Sequence, residues 1–325
     1  MTGDNARRKQ TSMLQNLNNR SAALLQDVIQ NSDRLRISAV TQAEATILDF
    51  GVKSRGGIDA GLTLARICMA DLGHVELQTP GSLIEVPQIF VRTDHPLEAC
   101  LQSQYAGWKI ATDDFFAMGS GPMRATAASE DLFAEFPTDE PSPVCVGVLE
   151  AGSLPTEAAV QAVRKNLPEQ TELFLAVAPT ASQAGNIQVV ARSVETAMHK
   201  LHELKFPMNA VVSGTGAAPL PPVAKDDLSG IGRTNDSILY GSTVNLWVNC
   251  DDQIIEDVGP QTPSNSSAAH GQSFLKLFKE ANHDFYALDK ALFSPAVVIF
   301  HNLKNGRSFR FGTLLPDLLR DSFGM

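Results

Sequence analysis

The sequence contains few cysteines, and their spacing matches no common metal or disulfide pattern. Four are spread over 325 residues: Cys68, Cys100, Cys145 and Cys250. None belongs to a C-x-x-C pair, and no histidine lies at zinc-ligand spacing from any of them. Scattered thiols in a chain of this size are typical of reduced and mostly buried cysteines. We therefore expect neither a disulfide framework nor a metal site.

The chain also lacks a long apolar run and an excess of basic residues. No apolar run approaches the ~20 residues that cross a bilayer, and polar residues 1–20 lack the apolar core of a secretory signal. Lys and Arg number 26 against 36 Asp and Glu, a formal net charge of −10. This balance argues against binding to nucleic acid or to an anionic membrane surface. We expect a soluble cytoplasmic protein whose first residues form a frayed arm.

Nucleotide-binding fingerprints are absent as well. Residues 214–216 read Gly-Thr-Gly, but the prolines at 219, 221 and 222 prevent a helix from continuing there, as G-x-G-x-x-G requires. The chain has no G-x-x-x-x-G-K-[ST] sequence either. We therefore exclude NAD and ATP as primary ligands.

The sequence does contain the pattern of a globular α/β protein. Hydrophobic residues make up 43% and charged residues 19%, which suffices for a sizeable core in one large domain or two. Periodicity predicts strands at 144–149, 173–177 and 210–212, and helices at 156–165 and 190–204. Strand–helix alternation of this kind indicates α/β layering. Further predictions are a helix within 12–29, a helix from 96 to about 107, and a loop at 116–122.

Three strand-like runs stop at small polar or glycine-rich loops, within residues 148–153, 177–182 and 212–216. Ligands of open α/β folds bind beyond the carboxyl ends of strands. The glycine-rich residues 119–122 precede a predicted helix start, where free amides can hold an anion or a carbonyl. Each of these segments could equally be an ordinary tight turn.

Arg192 and Glu195 are three residues apart on the helix predicted to begin near Val190, so we expect both on one face. An arginine beside a carboxylate holds it ionised and oriented. Taken alone, the pair could be an exposed and weak ion pair. Its closeness in sequence to residues 180–182 suggests a shared pocket instead.

Several segments of the chain together match one family. They are residues 93–96 (Thr-Asp-His-Pro), 106–109 (Ala-Gly-Trp-Lys), 116–122 (Phe-Ala-Met-Gly-Ser-Gly-Pro), 177–182 (Val-Ala-Pro-Thr-Ala-Ser), 191–196 (Ala-Arg-Ser-Val-Glu-Thr), 232–236 (Gly-Arg-Thr-Asn-Asp) and 322–325 (Ser-Phe-Gly-Met). Each string alone is a weak signal. In order and spacing, from about Leu48 to the C-terminus, they resemble the methenyltetrahydromethanopterin cyclohydrolases.

This resemblance implies a fold and an activity. It implies two α/β domains with a substrate pocket between them, which we place at residues 1–86 plus 206–325 and, inserted, 87–205. It implies hydrolysis of a methenyl-tetrahydromethanopterin carrier to the formyl form without metal or cofactor, in a homotrimer.

The resemblance also implies roles for particular residues. The arginine and glutamate of its R-x-x-E element fall on Arg192 and Glu195 as catalytic residues. The implied substrate contacts are Asp94, His95, Lys109, Ser120, Thr180, Ser182, Arg233 and Asn235. Amide and guanidinium groups such as those of residues 233–235 suit the amide edge of a pterin. Alternatively, Asp94 and Asp236 could be ordinary helix caps.

The chemistry of this reaction agrees with such a site. The substrate carries one carbon between two nitrogens in a cationic, already electrophilic group, so no metal is needed to polarise it. A single carboxylate can take a proton from the attacking water and return one to the departing nitrogen. Two other functions stay open: a pterin-binding carrier or regulator without catalysis, and a dehydrogenase or transferase of the same one-carbon pathway.

Overall fold

The computed structural model describes residues 16–80, 83–138 and 142–325. In these ranges the strands are β1 (Ser38–Gln42), β2 (Ala45–Asp49), β3 (His74–Gln78), β4 (Gln88–Thr93), β5 (Trp108–Ala111), β6 (Phe116–Ser120), β7 (Val144–Glu150), β8 (Glu172–Ala178), β9 (Val211–Pro219), β10 (Thr243–Val248), β11 (Val297–Asn302) and β12 (Ser308–Gly312).

Helices connect these strands. They are α1 (Leu17–Gln30), α2 (Ser32–Leu35), α3 (Ile58–Cys68), α4 (Met123–Ala127), α5 (Leu132–Glu135), α6 (Glu157–Arg164), α7 (Gln183–Val190), α8 (Ser193–Glu203), α9 (Asp227–Gly241), α10 (Asp252–Val258), α11 (Phe274–Glu280) and α12 (Pro316–Phe323). A π-helix covers Leu97–Gln104, and 3₁₀ turns lie at Met208–Ala210, Gly259–Gln261, Ser264–Ser266, Phe285–Ala287 and Lys290–Leu292.

The strands form two six-stranded mixed sheets. The first has the order β1-β2-β8-β7-β6-β5, with β2, β8 and β7 parallel and the outer pairs antiparallel. The second has the order β12-β11-β10-β9-β4-β3, in which only β10 and β11 are parallel. The predicted α/β class is confirmed.

The first sheet is covered on both faces. One face packs on α1 and α3 through side chains such as Leu25 and Leu64. The other packs on α6, where Leu149 and Val160 share a cluster. Strand β7 is accordingly buried along its whole length except at its last residue, Glu150. A parallel strand covered on both faces is expected to be continuously apolar, and its final acidic residue marks the point where the strand leaves the core.

The second sheet packs on α8 by one face only. Val194 and Met198 of α8 share a core with Leu246 and Phe300 of the sheet. Burial alternates along β10, as expected for a strand with one solvated face. Helix α7 packs against α3 and α9. The α7–α8 junction therefore lies between the two sheets.

Several predicted elements differ in the structure. The helix predicted at 190–204 is α8, which begins only at Ser193; Val190 is the last residue of a separate helix, α7, and residues 191–192 form the break between them. Residues 116–120 of the predicted loop form β6, and the helix predicted from residue 96 is a π-helix. Residues 12–15 of the first predicted helix and most of the predicted arm lie outside the described residues.

The predicted domain boundaries stay a prediction, but the sheets divide the chain at other points. Residues 38–49 pair with strands of the segment 108–178, and residues 88–93 lie in the same sheet as 74–78 and 211–219. Of the described helices, none has both the length and the apolar character needed to cross a membrane.

Candidate active site

A cavity of about 550 Å³ opens at the α7–α8 junction. Its walls come from the segment after the π-helix, the ends of β6, β7 and β8, helices α7, α8 and α9, and the segment 285–293. The titratable lining residues are Glu150, Arg192, Glu195, His199, Glu203, Asp227 and Lys290, and the aromatic ones are Tyr105, Phe116, Phe285 and Phe293. Carboxyl groups outnumber basic side chains here, which favours a cationic ligand.

Helix α9 closes one side of the cavity by docking on the loop after β8. The Asp227 carboxylate accepts a hydrogen bond from the Ala181 amide at 2.7 Å. A Cβ atom at Gly230 would lie only 3.1 Å from the Thr180 carbonyl carbon, so glycine permits this close approach. The glycine thus brings Thr180 and Asn235 to one wall.

Arg192 sits in the break between α7 and α8 and is almost fully buried. Its Nε donates to the Gln188 side-chain oxygen at 3.0 Å, and its Nη1 donates to the Gln104 carbonyl. Nη2 donates to Ser120 Oγ at 3.1 Å and lies 3.8 Å from Cys68 Sγ. The guanidinium is therefore held from three sides by the π-helix, β6 and α7.

The ion-pair partner of Arg192 is Glu150, at 2.9 Å. The Gln188 amide bridges the two, because its Nε2 donates to the same Glu150 oxygen at 3.2 Å while its oxygen accepts from Arg192. Burial lowers the pKa of Arg192, but Glu150, Cys68 and Glu195 together outweigh that effect, with Glu150 contributing most, and the pKa is raised. Arg192 thus forms its ion pair with Glu150 at the end of β7 and not with Glu195, although its charge still lowers the pKa of Glu195.

Glu195 lies in the first turn of α8 with only 6% of its surface exposed, and it lines the cavity. Across residues 16–80, 83–138 and 142–325, no group donates a hydrogen bond to its carboxylate. Burial raises its pKa to about 7; Arg192 and Arg124 oppose that shift, and Glu150 adds to it. Glu195 is therefore neither an exposed ion-pair member nor a permanently ionised group.

A second feature of the wall is a stack of aromatic rings. His199, one turn after Glu195 on α8, stacks on Tyr105 with ring centroids 4.5 Å apart and planes 16° apart. The guanidinium carbon of Arg124 lies 5.0 Å from the Tyr105 ring centroid. Glu130 fixes Arg124 in turn through two hydrogen bonds of 2.6 and 2.7 Å.

Three of the predicted substrate contacts lie in or directly behind the cavity. Thr180 and Asn235 line it. Ser120 lies behind Arg192, and its hydroxyl accepts from that guanidinium and donates to the Val148 carbonyl. Their contact with a substrate stays a prediction.

The other five predicted substrate contacts lie away from the cavity wall: Asp94, His95, Lys109, Ser182 and Arg233. Asp94 accepts from Ser213, His95 donates its amide to Thr93, and Ser182 caps α7 by accepting from Gly185. Arg233 donates to the Ser322 and Pro222 carbonyls, and the Lys109 ammonium lies 5.9 Å from the Phe116 ring centroid. Their predicted roles are not tested by these positions.

Sequence reasoning missed Glu150, Gln188 and His199. Glu150 had a signal, because it is an acidic residue at the carboxyl end of a predicted strand. His199 had one as well, since its spacing of four from Glu195 places both on one helix face. Gln188 had none, because it lies in α7, which the periodicity did not predict.

Comparison with known proteins agrees with the resemblance seen in the motifs. Residues 16–323 match the model of the Cyclohydrolase (MCH) family. A Rhodopirellula baltica protein named methenyltetrahydromethanopterin cyclohydrolase is 46% identical over 301 residues, which cover 90% of each chain. Proteins of the same name from Methylobacillus flagellatus and Methanococcoides burtonii are 40% and 39% identical over 93% and 95% of this chain, and 93% and 98% of theirs. The chain belongs to the Cyclohydrolase (MCH) family.

Proposed function

We propose that this protein hydrolyses methenyl-tetrahydromethanopterin, or its dephosphorylated form, to the formyl compound, with Glu195 as the proton-transferring group. The observation that carries the proposal is the buried Glu195 carboxyl group, which faces the cavity without a hydrogen-bonding partner in the described structure. The names of the relatives support the same reaction.

The first step is the attack of water on the cationic carbon between two nitrogens. A carbon–oxygen bond forms while the Glu195 carboxylate takes one proton from the water. In the second step the Glu195 carboxyl group returns that proton to one nitrogen, and the bond from this nitrogen to the carbon breaks. The remaining hydroxyl proton leaves as the formyl carbonyl forms, so one proton is released for each turnover.

The pKa of Glu195, raised by burial to about 7, suits both steps. A group that accepts and then donates a proton works best when its pKa lies near the working pH. The Arg192–Glu150 pair supports this balance. Because Glu150 neutralises Arg192, the guanidinium does not hold Glu195 fully ionised.

We propose that the reaction needs neither metal nor cofactor, because the substrate carbon is already part of a cation. The rate should therefore be the same after dialysis against a chelator. By the same resemblance we propose a homotrimer, which light scattering on the purified protein can check.

The test of the function is direct. Purified protein is mixed with methenyl-tetrahydromethanopterin, or with its dephosphorylated form, and the loss of the methenyl absorbance is followed against buffer alone. Accelerated loss with formation of the formyl product is expected. Binding without acceleration would instead favour the pterin-binding carrier or regulator.

A further inference from the structure

We propose that His199 is a substrate-binding residue, whose imidazole hydrogen-bonds the carrier bound beside Glu195. The inference rests on the proposed function and adds a residue to it. Its basis is the position of the ring in the cavity wall, the way the ring is held, and the absence of a protein partner for its nitrogens.

The first argument is position. Helix α8 presents Glu195, Thr196, His199 and Glu203 to the cavity. Glu195 and His199 are four residues apart, which places them one turn apart on the same face. A ligand whose reacting carbon lies at Glu195 therefore extends past His199 if it runs along the helix.

The second argument is the fixed orientation of the ring. His199 lies nearly parallel to Tyr105. Tyr105 in turn contacts Arg124, which is buried and tied to Glu130 and to the Leu101 carbonyl. Stacking holds the plane of the imidazole, so that the ring presents its edge nitrogens in a defined direction.

The third argument is the lack of a partner. In the described part of the chain, neither ring nitrogen of His199 forms a hydrogen bond. His202, three residues further along α8, differs because its Nε2 lies 2.8 Å from a Glu135 oxygen. Side chains that are mostly buried usually satisfy their polar atoms. A polar group of a bound ligand would therefore supply the hydrogen-bonding partner that the imidazole nitrogens of His199 lack.

The charge of the ring also fits a cationic ligand. Burial, and to a lesser extent the neighbouring His202, Lys290, Arg124 and Lys200, together lower the pKa of His199 to about 4. The ring is neutral near pH 7 and offers one donor and one acceptor. A neutral ring can bind an amide-like edge of the carrier without repelling the positive methenyl group.

The experiment compares two substitutions that distinguish the effect of the aromatic ring from the effect of its nitrogens. His199→Phe keeps an aromatic ring against Tyr105 and removes both nitrogens, whereas His199→Gln keeps a donor and an acceptor. We expect KM to rise about three- to tenfold in His199→Phe, the effect of one lost hydrogen bond, and less in His199→Gln. The turnover number and the pH dependence of the rate should stay close to wild type in both variants.

The matched control is His202→Gln, which alters a histidine of the same helix outside the cavity and should keep the wild-type KM. An unchanged KM in His199→Phe would overturn the proposal and leave the ring as packing for Tyr105. A lost turnover number at unchanged KM, or a shifted pH profile, would also overturn it, because either result indicates proton transfer and not binding.

A second measurement needs neither a folded variant nor a hydrolytic activity, because it follows binding to the wild-type protein. Wild-type protein with ¹⁵N-labelled histidine is titrated with the unsubstituted tetrahydromethanopterin carrier, which has no methenyl carbon to react. The imidazole nitrogen signals of His199 should move on saturation while those of His202 stay. Saturation without movement at His199 would overturn the inference, whereas failure of the absorbance assay concerns only the proposed reaction.

Discussion

Glu195 and Asp236 are two buried carboxyl groups in different surroundings. Burial raises the pKa of each to about 7. Glu195 faces the cavity and accepts no hydrogen bond from the described residues. Asp236 lies on α9, away from the cavity wall, and accepts from the Phe274 amide at 2.7 Å and from Ser322 Oγ at 2.6 Å.

The difference separates a chemical role from a structural one. Both oxygens of Asp236 are engaged by the start of α11 and by α12, so this group holds three helices together. Glu195 has no such partner and can exchange its proton with a ligand. A raised pKa alone would not distinguish the two carboxyl groups, but their partners and their access to the cavity do.

The largest expected effect tests this contrast directly. Glu195→Gln removes the group that moves the proton and keeps its size, so turnover should fall roughly 10²- to 10⁴-fold. Binding of the carrier should survive, because the cavity keeps its shape. Steady-state rates and a binding titration on the same preparation check both statements.

Asp236→Asn is the matched control for that measurement. It also replaces a buried carboxyl group by an amide of the same size, and its turnover should stay within about threefold of wild type. Near-normal turnover of Glu195→Gln would remove Glu195 from the mechanism. A large loss of turnover in folded Asp236→Asn would contradict the purely structural role assigned to Asp236.

The pH dependence of the rate sharpens the role assigned to Glu150. In wild type the base form of Glu195 prevails above its pKa, so kcat/KM should rise with pH to a midpoint near 7. Glu150→Gln removes a nearby negative charge and the partner of Arg192. Both changes favour ionised Glu195, and the midpoint should fall below that of wild type.

Profiles of kcat/KM from pH 5 to 9 measure that shift. A lower absolute rate in Glu150→Gln would not obscure it, because the midpoint is independent of the amplitude. A midpoint that stays or rises would contradict the electrostatic role of Glu150. Gln188→Leu, which loosens the same pair, should move the midpoint in the same direction by a smaller amount.

Stability against pH is the corresponding measurement for Asp236. An unfolded aspartate titrates near 3.8 and folded Asp236 near 7. Between these values the folded state binds a proton that the unfolded state does not, so this residue's contribution to stability falls as pH rises. Asp236→Asn lacks this proton. Its free energy of unfolding relative to wild type should therefore improve by roughly 1–3 kcal/mol between pH 5 and pH 8.

Urea unfolding of both proteins at the two pH values gives this difference. Glu195 is present in both, so its own titration cancels in the comparison. A difference that is the same at pH 5 and pH 8 would show that Asp236 has an ordinary pKa in the folded protein.

The smallest effect concerns two neighbouring residues of α9. Asn235 lines the cavity, whereas Arg233 donates to the Ser322 and Pro222 carbonyls away from it. Asn235→Ala should raise KM about threefold, the lower end for one lost hydrogen bond. Arg233→Ala should leave KM unchanged and lower the thermal midpoint. The reverse result would indicate that the carrier binds beside Arg233 and not beside Asn235.

Local sequence signals predicted much of the fold. Strands β7 and β8 and helix α6 were found where periodicity placed them, because each has a strong apolar pattern of its own. The break at Arg192 was missed, since residues 183–204 contain no proline or glycine near that point. Strand β6 was predicted as a loop because it ends in glycine and serine, which are typical of turns, and its pairing with β7 is not visible in the local sequence.

The sequence by itself determined the α/β order, the R-x-x-E spacing and the family to which the chain belongs. Only the tertiary structure decided which carboxylate pairs with Arg192. The Arg192 guanidinium contacts residues of β7, α7 and the π-helix, which are far apart in the chain. Side-chain pairing depends on distances in the packed core, which no local pattern encodes. Tertiary packing therefore determines that Arg192 forms its ion pair with Glu150, and that Glu195 faces the cavity without a partner among the described residues.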